Sequence, residues 1–252
     1  MNELIVGALL ITIYLLCMLI TVQHKKDTSI GNFTWGGGVF IITLYTFLIG
    51  HHVARSILIT VMICAWVLRL GIYIYSRYKK GADPRFIEWQ NQMGPYALLI
   101  NFWWIFVMNG IMLILMSVPS ILINKSTLPG LNWLDFIGLF IWIVGFCCES
   151  LADYQLFSFM KNPANKGKIM TQGLWYYSRH PNYFGEIIMW WGIFCIALSV
   201  PYGWIALIAP VTITLLLVFF TGVPMLERVF KDNLDYQEYK KHTSMLIPWF
   251  KS

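Results

Sequence analysis

The chain has 252 residues, of which 58% are apolar and only 12% charged, with a formal net charge of +6. A soluble domain carries about 25% charged residues, so the composition argues against a cytosolic globular fold, a disordered chain or a basic nucleic-acid binder. It fits a single all-α domain, residues 1–252, in a membrane, with lipids around it and no nucleic acid or obligate protein partner implied.

A bilayer core of about 30 Å is crossed by about 20 helical residues at 1.5 Å each. Seven apolar runs read as spans: Leu4–Val22, Trp35–Ile49, Ile57–Tyr75, Tyr96–Ile123, Trp133–Phe159, Tyr183–Val200 and Trp204–Met225. The first reads as a span and not a cleaved signal, since Asn2 and Glu3 precede it and no small-residue cleavage site follows before Lys25. The second is short and starts on Gly36-Gly37-Gly38, with His51-His52 marking its outer boundary. The sixth and seventh form a hairpin across Pro201-Tyr202-Gly203.

Lys and Arg in short loops stay cytoplasmic. With the N-terminus outside and the C-terminus cytoplasmic, nearly all 18 basic residues fall on the cytoplasmic side, while Arg55 and Lys125 fall on the outer one. This predicts a multi-pass membrane protein. The five cysteines all lie in apolar runs without a C-x-x-C pair, so no metal site or disulfide framework is expected.

Three segments on the cytoplasmic side, Ser76–Pro95, Met160–Asn182 and Glu227–Ser252, interleave cations with aromatic residues. That mixture suits a phosphorylated, ring-containing ligand, and equally a surface facing anionic headgroups. The stretch Gly173–Glu186 tips the balance towards a ligand. Pro181 presets a helix start, which puts Arg179, His180 and Asn182 at its positive end and Glu186 one turn inside.

A second constellation lies within the spans. Glu149 and Asp153 are four residues apart in the fifth, with Ser150 and Gln155 nearby, and Arg69 in the third has Tyr73 at i+4. Ionisable groups at such depth line a functional cavity or bridge helices.

At these residues the chain resembles a known group. Gly173–Glu186, reading GLWYYSRHPNYFGE, is similar to the motif of a bacterial family of unknown function related to the steroid 5-alpha-reductases and the sterol C14- and C7-reductases. Asp27–Gly36 is similar to its early block. Arg69, Tyr73 and Gly81–Phe86 match the central one, and Glu149, Ala152, Asp153 and Gln155 the next. Gly222–Glu227, with Tyr236, Tyr239, Ile247 and Pro248, matches the last.

The resemblance implies a seven-helix bundle that holds NADPH in a cavity open to the cytoplasm and takes a lipid-like substrate from the bilayer. The cofactor-binding part would cover about residues 145–252. Around the dinucleotide it would place Arg77, Lys80, Asp83, Arg85, Asp153, Arg179, His180, Asn182, Tyr183, Glu186, Glu227, Arg228 and Tyr239. No G-x-G-x-x-G follows a strand, so a Rossmann domain is not available.

The implied chemistry is hydride delivery to an electron-poor C=C bond, which needs an acid for the carbonyl oxygen. Aligned on Arg69 and Tyr73, the chain has Trp66 where the steroid reductases carry a Tyr, and Asn32 where the bacterial family carries an Asp. Tyr73 and Glu149 are then the acids on offer. Two other readings stay open: an S-adenosylmethionine-dependent methyltransferase of the isoprenylcysteine or phospholipid type, which shares an R-H-P-x-Y-x-G core, and a non-catalytic lipid-binding or transport protein.

Overall fold

The computed structural model describes residues 2–25, 31–78, 100, 103 and 107–250. Among these residues the chain is helical, with no strands; a lone parallel bridge joins Ser178 and Ser244. The long helices are α1 (Asn2–Lys25), α2 (Gly31–Leu48), α3 (Ala54–Tyr78), α4 (Asn109–Lys125), α5 (Trp133–Lys161) and α7 (Pro181–Ala197). The short α6 (Leu174–Tyr177) precedes α7, and the chain ends in α8 (Ile208–Leu215), α9 (Val223–Val229) and α10 (Leu234–His242).

By length and composition, three helical stretches among the described residues can cross a membrane: Ala54–Ser76, Trp133–Lys161 and Gly203–Val229. Shorter apolar helices cover Ile5–Thr21, Gly36–Leu48 and Asn109–Lys125. Several hydroxyls within these apolar helices donate to carbonyls of their own helix, as in Thr12 to Ala8, Thr60 to Ser56 and Ser117 to Leu113. The expected sixth span is the 17-residue α7, and part of the expected fourth lies outside the described residues.

The seventh is not one uniform α-helix. A 3-10 turn, Gly203–Leu207, leads into α8, and a π-turn at Leu216–Phe220 breaks it before Gly222-Val223-Pro224 restarts the chain as α9. Pro224 has no N–H to continue a ladder. The Thr221 N–H instead reaches back five residues to the Leu216 carbonyl, at 2.8 Å.

Helix starts follow local chemistry. Asn132 caps α5 by accepting from the Leu134 N–H, while the Asp135 carboxylate accepts from the Asn132 N–H at 2.7 Å. Pro181 opens α7, and Asn233 caps α10 by accepting from Tyr236 at 2.9 Å.

The tightest packing is between α5 and α7, which run antiparallel. Four glycines line the seam in two facing pairs, Gly138 with Gly192 and Gly145 with Gly185. A Cβ on Gly145 would come 2.6 Å from the Gly185 carbonyl oxygen, and one on Gly192 would come 2.6 Å from that of Gly138. Only glycine permits this approach, and where apolar burial cannot drive helix association, such closeness supplies dispersion contacts instead.

α3 and α5 run parallel and are joined at two levels. Near their starts Arg55 pairs with Asp135 through two bonds of 2.7 and 2.8 Å, both residues buried. The composition-based placement put Arg55 in an outer loop; α3 starts earlier than the apolar run and takes Arg55 into the interior, where Asp135 neutralises it. A polar seam ties α2 to α4: Thr43 donates to Ser120 at 2.9 Å, and the Asn124 amide donates to Thr46 at 3.0 Å. Between these seams the core is apolar, with Trp66 edge-on to Trp190 at 5.4 Å.

Candidate functional site

Fourteen residues beyond both Arg55 and Asp135, the second bridge between α3 and α5 forms. The Arg69 guanidinium donates to Glu149 Oε1 at 2.5 Å and, through its other terminal nitrogen, to Asp153 Oδ2. Asp153 is shared: its second oxygen accepts from the Asn182 amide at 3.2 Å, and Asn182 stands in the first turn of α7. The Gly145–Gly185 contact brings these residues together, because close approach of the two backbones sets Glu149 beside the start of α7. There the Cys148 thiol reaches the Pro181 carbonyl at 3.4 Å.

Glu186, one turn into α7, lies within the field of Arg69 and Glu149. Arg69 also sits over the Tyr73 ring, 5.8 Å from its centroid. One cation thus faces three carboxylates at the same end of three helices. Several buried polar atoms here have no hydrogen-bond partner among the described residues: Glu149 Oε2, Ser150 Oγ and Asn182 Oδ1. Unsatisfied acceptors of this kind cost free energy unless a ligand or water meets them.

The start of α7 faces a second cluster on its other side. Glu227, on α9, is the hub: it lies 2.8 Å from the Arg179 guanidinium, 3.6 Å from His180 Nε2 and 2.5 Å from Lys240 Nζ. His180 is fully buried and stacks on Tyr183, with ring centroids 5.2 Å apart. The Tyr239 hydroxyl donates to the carbonyls of Trp175 and Ser178. Burial pushes its phenol above the usual range.

Main-chain bonds complete the support. Arg179 N–H donates to the Ser244 carbonyl at 2.8 Å, and the Ser178 hydroxyl donates to that of Leu246 at 2.7 Å. From α5, Gln155 accepts from the Leu174 N–H and the Ala152 carbonyl accepts from the Trp175 indole, both at 3.0 Å. The loop before α7 is therefore clamped between α5 and the C-terminal segment.

Among the sequence-derived candidates, Tyr73, Glu149, Asp153, Asn182 and Glu186 gather around Arg69. Arg179, His180, Tyr183, Glu227 and Tyr239 gather around the loop before α7. Arg228, beside Glu227, is exposed. Lys80, Asp83, Arg85 and the side chain of Arg77 lie outside the described residues. Sequence reasoning passed over the four seam glycines, whose signal is a glycine pair seven residues apart in each of two apolar runs. It also passed over Lys240 as a partner of Glu227, for which no local spacing rule gives a signal.

Comparison with known proteins follows the extent of this arrangement. A family model described as a protein of unknown function (DUF1295) matches residues 17–243, which covers both clusters and every described helix from the end of α1 to α10. The chain belongs to that family. No curated protein and no solved structure matches it. The DUF1295 match spans the Arg69 bridge, the glycine seam and the Glu227 hub as one continuous unit. Among the described residues no group of His, Cys, Asp or Glu is placed to hold a metal ion.

Proposed function

We propose that this DUF1295 protein is a membrane-embedded reductase that uses NADPH to reduce a C=C bond in a steroid-like or other lipid substrate. The observation that carries the reading is the buried set around Arg69, whose unpartnered acceptors on Glu149 and Asn182 lie beside the start of α7. Acceptors in that position suit the ribose hydroxyls and carboxamide of a dinucleotide, and the cations of the Glu227 cluster suit its phosphates. The likeness of the sequence blocks to the steroid 5-alpha-reductases and sterol reductases supports the same choice.

In this reading the chain has seven spans with its N-terminus outside and its C-terminus cytoplasmic, in a bacterial inner membrane. NADPH, when bound, supplies the hydride. Asn182, Asp153 and Glu149 orient it, and the apolar helices exclude water from the reacting bond. Tyr73, or Glu149 in its protonated form, would give a proton to the oxygen of the conjugated carbonyl, the enol so formed would pass to the saturated carbonyl by taking its proton at the α-carbon, and Arg69 would offset the charge left behind.

The test is a thermal-shift series on the full chain in detergent with NADPH, NADH and S-adenosylmethionine, followed by NADPH oxidation with a panel of enones. Stabilisation by NADPH and its oxidation by an enone are expected. Stabilisation by S-adenosylmethionine alone would make the protein a methyltransferase. NADPH binding without turnover on any enone or unsaturated lipid would make it a lipid-binding protein.

A further inference from the structure

The most exposed tryptophan and tyrosine side chains stand at two levels of the bundle, with exposed phenylalanines such as Phe136 and Phe140 between them. At one end Trp133, Tyr202 and Trp204 are 67, 72 and 68% exposed, and the bond from Ser199 to Asn132 holds the turn before Tyr202 beside the start of α5. At the other end Tyr154 is 67% exposed, and α6 with its Tyr176 and Tyr177 is bonded to α5 at Ala152 and Gln155. Trp133 and Tyr154 are on one continuous helix, and at 1.5 Å per residue about 31 Å of rise separates them. That is the thickness of a bilayer hydrocarbon core, and aromatic belts mark both of its interfaces.

The C-terminal segment joins the second belt. Trp249 N–H donates to the Tyr177 carbonyl at 3.0 Å, and the Phe250 ring meets that of Tyr177 edge-on at 6.0 Å. Along the segment, Leu246 and Pro248 turn inwards while Met245, Ile247 and Trp249 are exposed. Four exposed apolar side chains in six residues, Met245, Ile247, Trp249 and Phe250, are wrong for a loop in water and fit a strip lying on an apolar medium. Charge agrees with this. The end of α5 and the loop to α6 expose Lys161, Lys166 and Lys168, which form no ion pair among the described residues, and positions 154–185 contain no Asp or Glu.

We propose that Tyr176, Tyr177 and Met245–Phe250 form an interfacial anchor bedded in the bilayer leaflet at this end of the bundle, with anionic headgroups held by Lys161, Lys166 and Lys168. The anchor fixes the loop before α7 at the membrane surface through Tyr177, Ser178 and Arg179. It places the Arg69 cluster just below the headgroups, since Glu149 precedes Tyr154 on α5 by little more than one turn.

The experiment uses the full chain in phosphatidylethanolamine–phosphatidylglycerol vesicles, with the five native cysteines replaced and one spin label at Ile247→Cys, Trp249→Cys or Glu238→Cys. Collisions with oxygen report the bilayer, and collisions with a water-soluble nickel chelate report the aqueous phase. Labels at 247 and 249 should favour oxygen, and the label at 238 the chelate. Chelate-dominated signals at 247 and 249 would overturn the anchor, as would protection from both reagents, which marks a protein partner. Should the labelled variants fold poorly, fluorescence of the otherwise native protein gives the same answer. Brominated lipids should quench wild type more than Trp249→Phe, and an equal loss in the two would count against the proposal.

Discussion

Arg69 meets Glu149 on the same two helices, and with the same residue offset, as Arg55 meets Asp135. Each partner lies fourteen residues further on, so the bridges stand about 21 Å apart along the axes of α3 and α5. The first is a closed, two-bonded pair whose carboxylate also caps a helix. The second is open: Arg69 divides itself between two carboxylates, one of which still has an unpartnered oxygen. The first pair suits a strut, and the second a place where a ligand can be exchanged.

Arg55→Met should destabilise the protein by about 3–5 kcal/mol, because Asp135 is left charged and buried. Arg55→Met with Asp135→Leu should recover most of that loss, short of about 1 kcal/mol for the capping bond to the Asn132 N–H. Unfolding midpoints in detergent check both.

Arg69→Gln should cost a comparable amount, since Glu149 and Asp153 lose their shared cation. Adding Glu149→Gln and Asp153→Asn should restore the midpoint without restoring NADPH binding. Recovery of binding in the triple variant would reduce Arg69 to a structural bridge.

Asn182→Ala removes one bond of 3.2 Å to Asp153, worth about 1 kcal/mol to the fold. Affinity for NADPH should fall about tenfold or more, which corresponds to at least about 1.4 kcal/mol. Titration calorimetry and a melting curve on the same sample separate the two effects.

Gly145→Ala and Gly185→Ala should each destabilise by about 1–3 kcal/mol, because the added methyl meets backbone of the facing helix. Gly71→Ala is the control. Nothing lies within 4 Å of a Cβ there, and the change should stabilise α3 by about 0.5–1 kcal/mol. Midpoints that move in the same direction for all three would contradict the seam.

Glu227→Gln should loosen the C-terminal segment, since Arg179 and Lys240 lose their common carboxylate. Amide exchange should quicken at Arg179 and Trp249, whose N–H groups bind across this region, while α3 and α5 stay protected.

The apolar runs and the rare charges within them were sufficient to read a helical membrane-type chain and to single out Arg69, Glu149, Asp153 and Asn182. The reason is energetic: an ionisable group in an apolar helix must be paired or wet, so its presence alone marks a site. The i, i+4 spacing of Glu149 and Asp153 even put both on one helix face. Sequence could not assign partners. Whether Arg55 lay in a loop or in the core, and which carboxylate each arginine took, depended on how α3 and α5 are aligned, and a pairing 80 residues apart leaves no local trace. The same holds for Glu227, which meets Arg179, His180 and Lys240 only after the π-turn redirects the chain into α9. Local chemistry decided which residues needed partners. The glycine-permitted approach of α5 and α7, a matter of backbone distance alone, decided that those partners would meet at the start of α7.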